Sequence, residues 1–167
     1  MSRAIAERGP TSEAGKGQIR GHGTKSFNFV DIFRASPFDR IEVIKAGVSA
    51  RRVKYFIAQM HLDQHVMFDA LNLKTATVNK KAARDELLSA EDSERVMGLA
   101  KLVGQLEAMV EESGDPEGFD APEWLSRWLR EPLSALGGGR PIDLLDTMEG
   151  QALVSRALSQ IQSGAYA

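Results

Sequence analysis

The chain has 167 residues, 43% of them apolar and 26% charged, with a formal net charge of -2 and no cysteine. That length suits one domain or two small ones sharing an interface, and the composition is that of an ordinary globular protein able to bury a core. The missing cysteines exclude disulfides and thiolate metal sites; no stretch approaches the ~20 apolar residues of a membrane span and no signal-peptide run opens the chain, so a cytoplasmic protein with no membrane partner is expected.

Residues 1–26 hold five glycines, scattered cations and almost no large apolar side chain. They offer too little to bury against their ordering entropy, which predicts a disordered tail. Phe27, Phe29, Val30, Ile32 and Phe33 follow as an apolar clasp. Pro37 suits a first helical turn, with Ile41, Ile44 and Val48 at helical spacing and Gly47 as the stop. Ser49 reads as the next N-cap, ahead of Val53, Phe56, Ile57 and Met60 on one face. A third helix, Asp63–Leu71, presents Val66, Met67, Ala70 and Leu71, and Asn72 tolerates the left-handed stop. After Leu73-Lys74 comes a short polar, basic helix, Thr75–Arg84.

Ser89, Glu91 and Asp92 mark a further helix start. Val96, Leu99, Val103, Leu106 and Val110 alternate spacings of three and four, a seam suited to core or dimer packing. Gly114-Asp115-Pro116 breaks the chain. A helix near Ala121–Arg130 carries Trp124 and Trp128 on one face, where tryptophans serve a core or anchor an interface. Pro132 ends it. Gly137-Gly138-Gly139 turns into Pro141, a first-turn proline, and the run reads as a tight turn with close backbone approach. Thr147 caps a last helix whose Leu153, Val154, Ala157, Leu158 and Ile161 form a stripe stopped by Gly164. No strand and no repeat emerges, so the fold class is all-α, with a tail at 1–26 and modules at 27–88 and 89–167.

The charge divides along the same line. Residues 1–88 carry 15 Lys/Arg against 9 Asp/Glu, and residues 89–167 carry 6 against 14. A basic half joined to an acidic half suits a polyanion partner for the first, although plain solvated helix faces would give the same counts. The Asp63–Leu71 helix, the turn at Asn72-Leu73-Lys74 and the basic helix have the layout of a helix-turn-helix, whose second helix enters the DNA major groove. Thr75, Thr77 and Asn79 are of the type that reads base edges, while Lys74, Lys80, Lys81 and Arg84 suit phosphates. The competing reading is a polar face on a generic bundle.

His61 and His65 stand four apart, but no third histidine lies near and Asp63 breaks the metalloprotease pattern, so surface or packing roles are expected and no metal site. Nothing resembles a nucleophile elbow, and neither catalytic residues nor a cofactor is expected.

One stretch carries a resemblance. Trp128-Leu129-Arg130-Glu131-Pro132-Leu133-Ser134-Ala135-Leu136-Gly137-Gly138-Gly139-Arg140-Pro141, then Asp143-Leu144-Leu145-Asp146-Thr147, Gly150, Val154, Leu158 and Gly164, resembles the C-terminal domain of Xre/MbcA/ParS-type antitoxins. Leu71–Arg84 resembles the Xre-like helix-turn-helix of the same antitoxins, and Leu88-Ser89 with Asp92-Ser93-Glu94-Arg95 fits the join. The resemblance implies an antitoxin of a type II pair. Its partners would be a RES-domain toxin that depletes NAD, operator DNA through which it represses its own operon, and a second copy of itself in a homodimer. It implies toxin contacts at Leu136, Gly137, Gly138 and Arg140, and at the chain end through Gln162, Ser163, Gly164, Tyr166 and Ala167. NAD would be the toxin's substrate only. The alternatives are a stand-alone dimeric helix-turn-helix regulator and an adaptor with a vestigial DNA-binding unit.

Overall fold

The computed structural model describes residues 26–164. Residues 1–25 of the tail expected at 1–26, and residues 165–167 with Tyr166 and Ala167, lie outside the described residues. Eight α-helices follow in order: α1 Phe29–Arg34, α2 Pro37–Ala46, α3 Ala50–Gln59, α4 Gln64–Ala70, α5 Thr75–Ala83, α6 Ala90–Ser113, α7 Ala121–Trp128 and α8 Met148–Gln162. Single 3₁₀ turns at Ser134–Leu136 and Pro141–Leu144 link α7 to α8. Among the described residues the only β-type pairing is one bridge between Ser49 and Leu87.

Short polar side chains begin most helices. Asn28, Ser36, Ser49, Asp63, Ser89, Asp120 and Thr147 each accept a hydrogen bond from a backbone N–H of the first turn they precede, satisfying donors that a helix leaves open. Asn72 ends the α4 turn at φ 52°, a left-handed conformation that Asn tolerates.

The long α6 is the axis. It packs against α1, α2, α7 and α8, and Val96, Leu99, Val103 and Leu106 of the expected seam are buried. So are Met97, Ala100 and Leu102 on its other sides, as befits a helix surrounded by neighbours. Phe27, Phe29 and Ile32 of the clasp are buried too, with the Phe29 ring 4.8 Å from that of Phe56 on α3. The hydrophobic core runs as one cluster from Phe27 to Leu158, and the expected module boundary at 88/89 falls at the N-terminal end of α6.

Polar pins fix the register of the axis. The Val48 N–H donates to Ser93 Oγ at 2.9 Å. Gln105 Nε2 donates to Ser159 Oγ at 2.8 Å and to the Ser155 carbonyl at 3.0 Å. Gln151 Nε2 on α8 donates to the carbonyls of Arg95 at 3.0 Å and Leu145 at 2.9 Å.

Three expected core faces differ from the structure. No residue of α2 is buried, and Ile41 is 45% exposed. Arg40 turns from α2 to the C-terminal carbonyls of α1, at Ile32, Phe33 and Ala35, so a guanidinium shares the inner side with the half-buried Val43 and Ile44, while Val48 of the expected stripe is buried. On α4 the inward residues are Met67 and Phe68, and Val66 is exposed. On α8 Leu153 is exposed, and its inward place goes to Gln151 beside Val154 and Leu158. In each case a polar side chain or a neighbouring apolar one took the inward angle, which periodicity alone does not decide.

Candidate nucleic-acid interface and partner-binding turn

The α4–turn–α5 unit is held from below by Arg95. This α6 side chain is only 8% exposed. Its Nε donates to the Leu71 carbonyl at 2.7 Å and Nη2 to the Asn72 carbonyl at 3.2 Å. Glu91 and Asp92, one turn back, balance the charge at 3.1 and 2.6 Å. The guanidinium thus satisfies the carbonyls at the end of α4 and fixes the angle at which α5 leaves the turn. Sequence reasoning missed this residue, because an Arg behind two acids reads as a solvated helix start.

Helix α5 is anchored by Val78 and Ala82, both buried, and packs on α3 and α4. Its outward side carries Lys74, Thr77, Lys80 and Arg84, all exposed. Thr75 is half-buried, with Oγ1 3.1 Å from His65 Nδ1. Asn79 is also half-buried, and its Oδ1 is shielded from solvent with no hydrogen-bond partner among the described residues. Lys81 Nζ donates to the Leu87 carbonyl at 3.2 Å, and Arg84 lies 4.0 Å from Glu86. The seven residues expected at DNA therefore divide: an open row of Lys74, Thr77, Lys80 and Arg84, and an inner set with local partners or burial. Alone among the eight described α-helices, α5 lacks a side-chain N-cap. Its first N–H groups stay available to an anion at the helix end that favours one.

His61 and His65 do not converge. His61, at φ 51°, faces Asp120 at 3.9 Å, and His65 faces Thr75. No cluster of three metal-ligating side chains occurs among the described residues.

The turn after α7 is a closed loop. Leu133 N–H donates to the Gly139 carbonyl at 3.0 Å and Gly138 N–H to the Leu133 carbonyl at 2.9 Å. Gly137 and Gly138 adopt φ 64° and 85°. A Cβ on either would meet nothing within 4 Å, so these glycines serve the turn's left-handed backbone, and the expected close approach is absent there. Leu136 is half-buried, Gly137 and Gly138 are exposed, and Arg140 is held by two bonds to Asp143 at 3.0 and 2.9 Å. Gln162 donates to Glu112 at 3.0 Å, Ser163 caps α8, and Gly164 closes it at φ 69°. Arg140 precedes the Pro141–Leu144 turn, which packs on α8, and Gln162–Gly164 lie at the far end of α8, a helix about 20 Å long. On α7, Trp124 and Trp128 stack with centroids 6.1 Å apart, both half-buried.

Fold and surface define an all-helical protein of the helix-turn-helix class, in which that unit and a C-terminal helical unit are built on the shared axis α6. Comparison with known proteins sharpens this class. Residues 39–101 match the antitoxin Xre-like helix-turn-helix domain, and residues 105–164 match the antitoxin Xre/MbcA/ParS C-terminal toxin-binding domain. The chain is 71% identical to the Prs ADP-ribosylating antitoxin of Sphingobium sp., over 93% of this chain and 98% of that protein. It is 28% identical to the antitoxin Xre of Pseudomonas putida, over 53% of this chain and 50% of that one. The chain belongs to the Xre/MbcA/ParS antitoxin family: it is the antitoxin of a toxin–antitoxin system and carries a helix-turn-helix domain. No described helix is long and apolar enough to cross a membrane.

Proposed function

We propose that this antitoxin neutralises a RES-domain toxin by covering its NAD-binding active site, and represses its own operon as a homodimer through α5. The observation that carries the reading is the match of residues 105–164 to a toxin-binding domain, joined to an open cationic row on a helix with an uncapped start. The Sphingobium relative's name speaks of ADP-ribosylation, a chemistry whose ADP-ribose donor is NAD, and an NAD-consuming toxin is the partner that a neutralising antitoxin would have to block. The turn at Leu136, Gly137, Gly138 and Arg140 and the chain end from Gln162 to Ala167 are the proposed contacts. This chain's part is steric occlusion, which needs no catalytic group or cofactor of its own.

The test pairs the antitoxin with the RES toxin in cells whose NAD is measured. Full-length chain preserves NAD and growth. A chain ending at Gln162 keeps its helical content and protects poorly. Full protection by the shortened chain would remove the tail from the interface, and NAD loss despite stable full-length antitoxin would remove the RES assignment.

A further inference from the structure

Helix α2 is an anomaly in this fold. Its Val43 and Ile44 pack half-buried on the core, yet none of its residues is fully buried, and Phe38 is 80% and Ile41 45% exposed. Beside it lies a groove of about 540 Å³, walled by Pro37, Ile41 and Ile44 on one side and Met148 and Ala152 of α8 on the other. Its floor is α6 at Met97, Gly98 and Lys101. Met148, on the far wall, is 38% exposed. Contiguous apolar surface of this kind marks an interaction site in a soluble protein.

The charges say what fits. Arg40, Lys101 and Arg156 line the groove against the single acid Glu94. Arg40 is occupied by the carbonyls of α1, and neither Lys101 nor Arg156 has a carboxylate within 4.0 Å among the described residues. Lys101 is half-buried, and burial first, then Arg40, pull its ammonium below the usual lysine range, so an incoming acid would be welcome there. The chain carries such an acid next to its own apolar knob. Glu42 follows Phe38 by one helical turn, is exposed, and has no ion pair among the described residues. Phe38 and Glu42 lie outside the groove but on the same helix α2 that walls it, so one helix carries a knob with an acid beside a cationic apolar groove, an arrangement that can meet its own copy about a two-fold axis.

We propose that a second copy of this chain docks on the α2–α8 groove, each copy placing Phe38 in the other's groove and Glu42 against the other's Lys101 and Arg156. The two-fold arrangement also suits the helix-turn-helix, because paired recognition helices address half-sites about 34–36 Å apart. The inference gives a surface to the homodimer proposed above and is independent of what the toxin is.

Sedimentation of the full-length antitoxin alone, across a concentration series, tests it. The native chain is a dimer. Phe38→Asp weakens the dimer by about 100-fold or more, as loss of a central aromatic anchor does, and Met148→Asp on the opposite wall does the same. Both keep the native far-ultraviolet circular dichroism. Glu42→Lys weakens the dimer, and adding Lys101→Glu restores it. A native chain that stays monomeric at concentrations that bind operator DNA overturns the inference, as does a dimer that tolerates both apolar changes. Loss of toxin capture by Phe38→Asp with the mass unchanged would hand the groove to the toxin and overturn it as well. A monomer that still protects cells removes this interface and leaves neutralisation standing; a dimer at this face that fails to protect does the reverse.

Discussion

A single guanidinium ties the turn of the helix-turn-helix to the axis of the molecule. Arg95 serves the buried Leu71 carbonyl and the partly buried Asn72 carbonyl at the end of α4. Replacing it with Ala leaves the buried Leu71 carbonyl unsatisfied and costs about 1–3 kcal/mol, which lowers Tm by several degrees. Arg95→Lys recovers only part, since an ammonium lacks the planar fork that reaches both carbonyls. DNA affinity should fall in the same order, although Arg95 is buried beneath the α5 face. Equal melting of the native and Ala proteins would deny the residue this role. Glu107 gives a second test at this scale. Half-buried beside α1, its carboxyl is pushed above the usual range by burial and then by Glu111, with the Val30 N–H pulling the other way. A raised folded pKa stabilises the fold fully below the unfolded value, and that contribution is lost as pH rises through the folded pKa. Glu107→Gln stays uncharged, so it should melt above the native chain at neutral pH, and the gap should close on acidification below the ordinary glutamate range. A gap that is the same at every pH would mean that charge burial is not its cause.

At the scale of the element, α5 separates residues that sequence placed together. Lys80 is exposed, while Lys81 spends its ammonium on the Leu87 carbonyl. Lys80→Ala should weaken binding to all DNA sequences and reduce the salt slope by about one phosphate contact. Lys81→Ala should act chiefly on stability, and Thr77→Ala on sequence preference. Titrations at several salt concentrations, with operator and random DNA, separate the three; identical slopes for the Lys80 and Lys81 variants would erase the distinction. Spacing, stops and caps made the helices legible in the sequence: Asn72 turns the chain after α4, and Ser89 and Thr147 cap α6 and α8. Burial within the helix was not legible. Asn79 and Thr77 are alike in type, and only the packing of α5 on α3 and α4 makes one half-buried and the other open. The same limit applies to α2, where Val43 and Ile44 pack on the core but Phe38 and Ile41 face outward. A helical period says that a stripe exists and is silent on what meets it. The family motif around Trp128–Pro141 was legible because glycines at positive φ and a first-turn proline are demanded by the backbone itself.

At the scale of the whole molecule, α6 belongs to both halves. The two family matches meet inside it, at residues 101 and 105, yet from Arg95 to Ala108 every residue is buried except the half-buried Gly98, Lys101 and Glu107. Gly104 lies against the Phe29 carbonyl so closely that a Cβ would sit 1.9 Å from that oxygen, while its neighbour Gln105 bonds to α8. One turn of helix thus grips the N-terminal clasp and the C-terminal helix together. Neither half can lose its side of α6 without exposing the core of the other, which predicts a single cooperative unfolding transition. Both tryptophans lie in α7, so their fluorescence reports only the C-terminal end, whereas far-ultraviolet circular dichroism reports every helix. In urea, at one protein concentration, the two curves should coincide, and a chain ending at residue 104 should show no cooperative transition. Gly104→Ala should shift both curves together to lower urea. Separate midpoints for the two signals, or a shift confined to one of them, would mean that the halves fold independently and that the shared axis does not couple them.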